Sequence, residues 1–350
     1  MSKNFFEKHS SLVLIAINLI FVLLVVWVLS INLFQDAPNA EKYSLYNKLE
    51  YSLLCQGKRN INLRENRPNQ LKFKTPPYDN TKKYRFKIDE NGFVEPSKIH
   101  ENPDLNIFFF GGSTTECEMV DEPYRFPYLV GRILEEKTGK KINSYNVGKS
   151  GNNSIHSINN LVNKVAPLNP NIVVRMETIN DLSTLIYEAT YWNKNRSRSN
   201  LGCFSKKDSV LRSFSNEWIE SPFRDQIFNL AHQERIKSEY HKILTMFVLI
   251  TKSIGAKPVL MTQANKILKN PKFEVKKGDE KFNATYRELY ASFQDIARQV
   301  AKENKILLID LEKEIPDDDN YLYDSVHFTN EGSKLTAKII SEKLKNYVSH

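Results

Sequence analysis

From residue 106 onward, short apolar runs alternate with longer amphipathic stretches. Asn106–Phe110, Ile142–Val147, Ile172–Met176, Pro258–Thr262 and Ile306–Asp310 are mostly runs rich in Ile, Val, Leu and Phe. Such runs suit strands buried on both faces of a parallel sheet. Between them Phe126–Thr138, Ser154–Val165, Glu234–Ser253 and Phe282–Glu303 carry helical spacing. A last helix starts near Asn330, with Leu335, Ile339, Ile340 and Leu344 on its inner face. The alternation predicts an α/β domain of three layers, α/β/α, with right-handed crossovers around a parallel sheet. Leu182 to Leu230 is long for a connection and holds Trp192, Cys203 and Trp218, so it reads as a substrate-recognition insertion. Upstream, Lys82–Ile88 alternates enough for a strand, and Asp89-Glu90-Asn91-Gly92-Phe93 reads as a turn.

The longest apolar run lies at the front. Leu12 to Phe34 contains no charged residue, and about 23 residues rising roughly 1.5 Å each span roughly 34 Å, enough for a bilayer. A cleaved signal peptide is the alternative, with Ser30 and the Ala37/Ala40 pair as weak cleavage candidates; its apolar region would normally be shorter. Lys3 and Lys8 precede the run, whereas Asp36 and Glu41 follow it, an arrangement that keeps the N-terminus cytoplasmic and puts the body of the protein outside, periplasmic or extracellular. The expected organisation is a tail (1–10), an anchor (11–34), a basic connector with short β elements (35–103) and the α/β domain (104–350), with its insertion at about 182–230.

Charge changes this picture little. The formal net charge of +9 is concentrated in the connector, from Lys58 to Lys87, and in a cluster from Lys194 to Arg212. A solvated surface near a membrane accounts for it, with anionic head groups or an acidic glycan as functional readings. Nucleic acid does not suit an exported, tethered protein, and no DNA-binding motif is visible. Three cysteines do not make a disulfide framework. Export would permit one pair, and Cys55 with Cys203 is the one to consider, because Cys117 belongs beside the candidate serine.

The chemistry is carried by four motifs in order: Phe110-Gly111-Gly112-Ser113-Thr114-Thr115, Asn146-Val147-Gly148-Lys149-Ser150-Gly151-Asn152, Thr178-Ile179-Asn180-Asp181 and Asp324-Ser325-Val326-His327. Two glycines after an apolar strand let the backbone turn sharply and present Ser113 at the carboxyl end of that strand, where open α/β sheets put their sites. Of seven histidines only His327 has an aspartate three residues earlier, so Asp324 can accept its Nδ1–H and fix the tautomer while Nε2 serves Ser113 as base. Gly151 and Asn180, with the Ser113 amide, are the candidate donors to an oxyanion. Gly148 is an alternative to Gly151.

In order and surroundings these motifs resemble the SGNH (GDSL-like) hydrolase family from about Asn106 to the C-terminus, leaving the first third unexplained. The resemblance implies a flavodoxin-like fold and fits Gly151 better than Gly148. The chain departs from the family twice: Gly112 stands where Gly-Asp-Ser has its aspartate, and Thr178 where Gly-x-Asn-Asp has its glycine. The second departure bears on the local backbone.

No cofactor is called for, and no metal. Asp317-Asp318-Asp319-Asn320 lacks the glycine and distal glutamate of a calcium loop, no Cys/His spacing suggests zinc, and no glycines form a phosphate loop. His156 and Glu116 lie near the motifs and receive no role. The expected function is a membrane-anchored serine esterase removing O-acetyl or short acyl groups from a surface glycan or another small ester. The same triad would serve an O-acyltransferase acting on a polysaccharide. A retired site would leave a glycan-binding protein.

Overall fold

A computed structural model of the chain describes residues 84–192, 223–270 and 274–349, together with Ile20. The chain divides into two compact units, Met1–Leu49 and Glu50–His350, and all the elements below belong to the second. Among the described residues no helix is long and apolar enough to cross a membrane. The apolar run Leu12–Phe34 lies outside them except for Ile20, as do Cys55, Cys203 and both basic clusters apart from Arg85 and Lys87.

Five parallel strands form one sheet. They are β1 (Leu105–Gly111), β2 (Ile142–Asn146), β3 (Ile172–Met176), β4 (Lys257–Met261) and β5 (Leu307–Ile309), in the order β2-β1-β3-β4-β5. That is the flavodoxin-like order, and its switch point lies between β1 and β3. The helices are α1 (Ser113–Glu116), α2 (Phe126–Thr138), α3 (Ser154–Asn160), α4 (Ile179–Glu188), α5 (Leu230–Ser253), α6 (Glu280–Glu303), α7 (Leu311–Glu314) and α8 (Asn330–Ser349).

Side chains alternate across the sheet and both faces are covered, which is why most strand positions are apolar; β2, with Asn143, Ser144 and Asn146, is the exception. Ile107 and Phe109 of β1, with Val174 and Met176 of β3, pack against Val130 and Leu134 of α2 and Ile340 and Leu344 of α8. Phe108 and Phe110 point the other way, onto Tyr145, Leu161 and Phe247. On that second face α4, α5 and α6 share a core that includes Leu185, Tyr240, Phe293 and Leu260 of β4. Burying each of these large side chains is worth roughly 1.5–3 kcal/mol.

Three sequence expectations are corrected. Lys82–Ile88 is no strand among its described residues: only Ile88 pairs, through an isolated bridge to Val94, and Val94 bridges to Asn146. The turn between them does form, with Asp89 Oδ1 accepting the N–H groups of Asn91 (2.9 Å) and Phe93 (2.8 Å). The helix expected over Ser154–Val165 is α-helical only to Asn160. From Leu161 to Val165 it widens to a π turn, and Pro167, which has no N–H, cannot continue the ladder beyond it. The insertion expected from Leu182 starts later. Leu182, Leu185 and Ile186 lie on the buried face of α4, which ends at Ala189 in the left-handed region (φ 49°). Residues 193–222 of that segment lie outside the described residues.

Candidate active site

The site lies at the carboxyl ends of β1, β2 and β3. Ser113 is the first residue of α1, whose opening turn is closed by the N–H groups of Thr115 (3.1 Å) and Glu116 (2.9 Å) donating to the Gly112 carbonyl. The Ser113 hydroxyl lies 2.7 Å from His327 Nε2. His327 Nδ1 lies 2.7 Å from Asp324 Oδ2 and 2.9 Å from Oδ1. An ionised carboxylate can only accept, so Nδ1 carries the proton and Nε2 is left to accept from Ser113. Asp324 Oδ1 also accepts the backbone N–H groups of Val326 (3.0 Å) and His327 (2.8 Å), so one carboxylate shapes the loop and orients the ring. Burial alone would raise the Asp324 pKa, but the bond from His327 and these backbone amides outweigh it and hold it below the ordinary value. The Tyr323 ring stacks on the imidazole, 5.5 Å between centroids at 11°. A cavity of about 260 Å³ opens beside Ser113 and His327, with Cys117, Met119, Val120 and Phe328 among its walls.

The two glycines of the second motif have different jobs. A Cβ on Gly148 would stand 2.5 Å from the Glu116 nitrogen, and the Gly148 N–H is taken by Asn146 Oδ1 at 2.9 Å. Gly148 is therefore a close-packing glycine. Gly151 has φ +84° with open space around it, and among the described residues its N–H has no acceptor, nor has that of Ser113. Asn180, on the first turn of α4, donates from Nδ2 to the Asn152 carbonyl at 2.8 Å, and its side chain also hydrogen-bonds Glu177. A Cβ on Gly112 would come closer to Asn180 Nδ2 than the 3.0 Å that real Cβ atoms respect. The asparagine amide thus lies directly over the turn that presents Ser113. Thr178 has φ −147°, outside the left-handed region that demands glycine. Asp181, the last residue of the third motif, is structural: it accepts from the Ser154 N–H (2.9 Å), the Tyr191 hydroxyl (2.6 Å) and Arg175 (2.9 Å).

Sequence reasoning passed over three buried groups around this site. Glu116 accepts the Ser150 N–H at 2.7 Å and the Ser150 hydroxyl, tying α1 to the second motif. Glu177 Oε1 lies 3.1 Å from where a Gly112 Cβ would be, and among the described residues its Oε2 has no partner. Burial, reinforced by Asp181 and opposed by Arg175, raises the Glu177 pKa well above the carboxylate range. Arg125 donates to the carbonyls of Glu95, Arg85 (2.5 Å) and Cys117 (3.3 Å), fastening the segment before β1 to the end of α1. The only sequence signal for Glu116 was its place on the serine turn. Cys117 is a free, buried thiol in the left-handed region (φ 55°), and burial raises its pKa to about 12. Among the described residues no three His, Cys, Asp or Glu side chains converge to hold a metal ion.

The profile of the GDSL-like lipase/acylhydrolase family matches residues 109–335. No curated protein matches the chain. Among solved structures, it is similar to an acetylxylan esterase from Geobacillus stearothermophilus (18% identity, 70% of this chain and 96% of that one, TM-score 0.44). It is also similar to a lipase/acylhydrolase from Enterococcus faecalis (16%, 69% and 96%, TM-score 0.45). A third similar structure is LAE5, an α/β hydrolase from the metagenome of Lake Arreo, Spain (17%, 69% and 95%, TM-score 0.45).

Proposed function

The chain belongs to the GDSL-like lipase/acylhydrolase family and is an ester-bond hydrolase, and we propose that it works as a serine esterase on short acyl esters, O-acetyl above all, of a surface glycan. The observation that carries the mechanism is the unbroken chain from the Ser113 hydroxyl through His327 to Asp324, with both links at 2.7 Å. His327 Nε2 takes the hydroxyl proton as Ser113 Oγ attacks the ester carbonyl. The carbonyl becomes a tetrahedral oxyanion, held by the Ser113 and Gly151 amides and by the Asn180 side-chain amide, which turns to it from Glu177. The imidazolium, stabilised by Asp324, returns its proton to the departing alcohol. Water, deprotonated by the same His327, then releases the acid and restores Ser113.

The acyl preference rests on the cavity beside Ser113. About 260 Å³ with Met119, Val120 and Phe328 on its walls takes a short chain more readily than a long one. Location rests on the sequence: Leu12–Phe34 anchors the chain, with the hydrolase domain outside the cytoplasm, where surface glycans are. The test is fluorophosphonate labelling of the full-length chain, together with p-nitrophenyl acetate and butyrate turnover. Label is expected on Ser113, lost in His327→Ala, and Ser113→Ala is expected to abolish turnover. Undiminished esterase activity in Ser113→Ala would overturn the mechanism. Protease protection in intact cells tests the location, and a domain shielded with the cytoplasm would refute it.

A further inference from the structure

A buried glutamine outside all four motifs bridges two of them. Gln263 follows β4, two residues past its last residue, Met261, and is 2% exposed. Its side chain spans from the neighbour of the nucleophile to the neighbour of the oxyanion donor. Nε2 donates to Thr114 Oγ1 at 2.9 Å, and Oε1 accepts the Ile179 N–H at 3.0 Å. The orientation of the amide follows from chemistry: the Ile179 N–H can only donate, so Oε1 must face it and Nε2 must face Thr114. The Tyr290 hydroxyl gives Oε1 a second hydrogen bond at 3.1 Å.

The backbone of Gln263 is held as firmly. Its N–H donates to Gln294 Oε1 at 3.1 Å, and its carbonyl accepts Gln294 Nε2 at 2.7 Å and Asn265 Nδ2 at 3.1 Å. Gln294 Oε1 also accepts from the Thr178 hydroxyl at 3.3 Å. The bridge is thus anchored on α6, an element that belongs to neither motif.

We infer that Gln263 is a positioning residue: it fixes the distance between Ser113 and Asn180 by holding the residue beside each of them on one rigid amide. The inference rests on the proposed role of Asn180 as oxyanion donor. Thr114 sits next to Ser113 on α1, and Ile179 sits next to Asn180 on α4. Among the described residues no backbone hydrogen bond joins α1, only one turn long, to the first turn of α4. The β1–β3 pairing reaches to Gly111 and Met176, and beyond it the amide ties Thr114 of α1 to Ile179 of α4, beside the Asn180 bond to the loop after β2. A donor displaced by about 1 Å can cost on the order of 10²-fold in rate.

The experiment is a double-mutant cycle of Gln263→Met and Asn180→Ala in the full-length chain, reading kcat and KM for p-nitrophenyl acetate, with near-ultraviolet circular dichroism to confirm folding. Gln263→Met is expected to lower kcat roughly 10- to 100-fold while KM stays within about threefold. In the Asn180→Ala background the same change is expected to cost less than about threefold, because the distance it controls no longer serves a donor. A purely structural glutamine would lose the same factor in both backgrounds. If Gln263→Met does not fold, Thr114→Val removes one end of the bridge at near-constant volume and carries the same cycle. A folded Gln263→Met with kcat within threefold of the parent, or a loss undiminished by Asn180→Ala, overturns the inference. A parent-like kcat in Asn180→Ala alone would instead overturn the oxyanion assignment beneath it.

Discussion

Gly112→Ala adds a single methyl group to the turn that presents Ser113. The turn's φ of −88° lies outside the left-handed region that demands glycine. The obstacle is space. The new Cβ meets Asn180 Nδ2 inside 3.0 Å and Glu177 Oε1 at 3.1 Å. To regain ordinary contact the Asn180 amide must retreat by about 1 Å, which breaks its 2.8 Å bond to the Asn152 carbonyl and withdraws it from the oxyanion. Losing one preorganised donor typically costs ~10²–10³ in kcat, or about 2.7–4 kcal/mol of transition-state stabilisation. Overpacking a tight site costs about 1–3 kcal/mol of stability, so the variant should fold and melt a few degrees lower. The assay is p-nitrophenyl acetate turnover, with kcat and KM separated, beside fluorophosphonate labelling. The expected result is a kcat loss of about 10² with little change in KM. Gly112→Ala in an Asn180→Ala background should lose almost nothing more. Parent-like turnover in Gly112→Ala would refute the reasoning, because either the amide does not stand where the contact puts it or it does not serve the oxyanion.

Other expectations concern groups near the site. Glu177 has its pKa raised in the fold, so in the folded state it stays protonated at a pH where the unfolded chain has lost that proton. Its contribution to stability is fully present below the ordinary glutamate value of about 4.3 and declines as pH rises from there toward the raised value. Glu177→Gln should therefore gain melting temperature at pH 7 and lose that gain toward pH 4; a gain independent of pH would argue against a buried neutral acid. The Cys117 thiol, with its pKa raised to about 12 by burial, should resist Ellman's reagent at pH 8 in a Cys55→Ser/Cys203→Ser background until the chain is unfolded; rapid modification of folded protein would contradict that burial. Arg125→Met should remove three hydrogen bonds, worth about 0.5–1.5 kcal/mol each, and expose residues 84–98 to hydrogen exchange; protection unchanged there would rule out the fastening role.

The sheet was legible because its strands are covered on both faces. Runs such as Phe108-Phe109-Phe110 have no polar side to confuse them, and alternate members go to opposite layers. The contact between Asp324 and His327 was legible too, since the two share one short loop whose backbone Asp324 itself binds. What local pattern does not carry is contact set by strand order. Gln263 reads as one polar residue after a strand; it becomes a bridge only because β3 separates β1 from β4 and brings all three carboxyl ends together. Glu177 is the same case, its place defined by a glycine on another strand's turn. Lys82–Ile88 failed as a strand for want of a partner, since alternation alone does not supply a neighbour to bond to.

Arg125 bears on where an independently folding piece of this chain can begin. The sheet starts at Leu105, and a fragment cut there would keep every strand and helix described. It would still retain a guanidinium buried to 1% exposure, with the Arg85 and Glu95 carbonyls that neutralise its hydrogen-bonding demand cut away. Phe86, whose ring the guanidinium faces at 5.1 Å, would go with them, uncovering apolar surface beside the serine turn. The smallest soluble fragment worth expressing therefore starts upstream of Arg85, some twenty residues before the first strand.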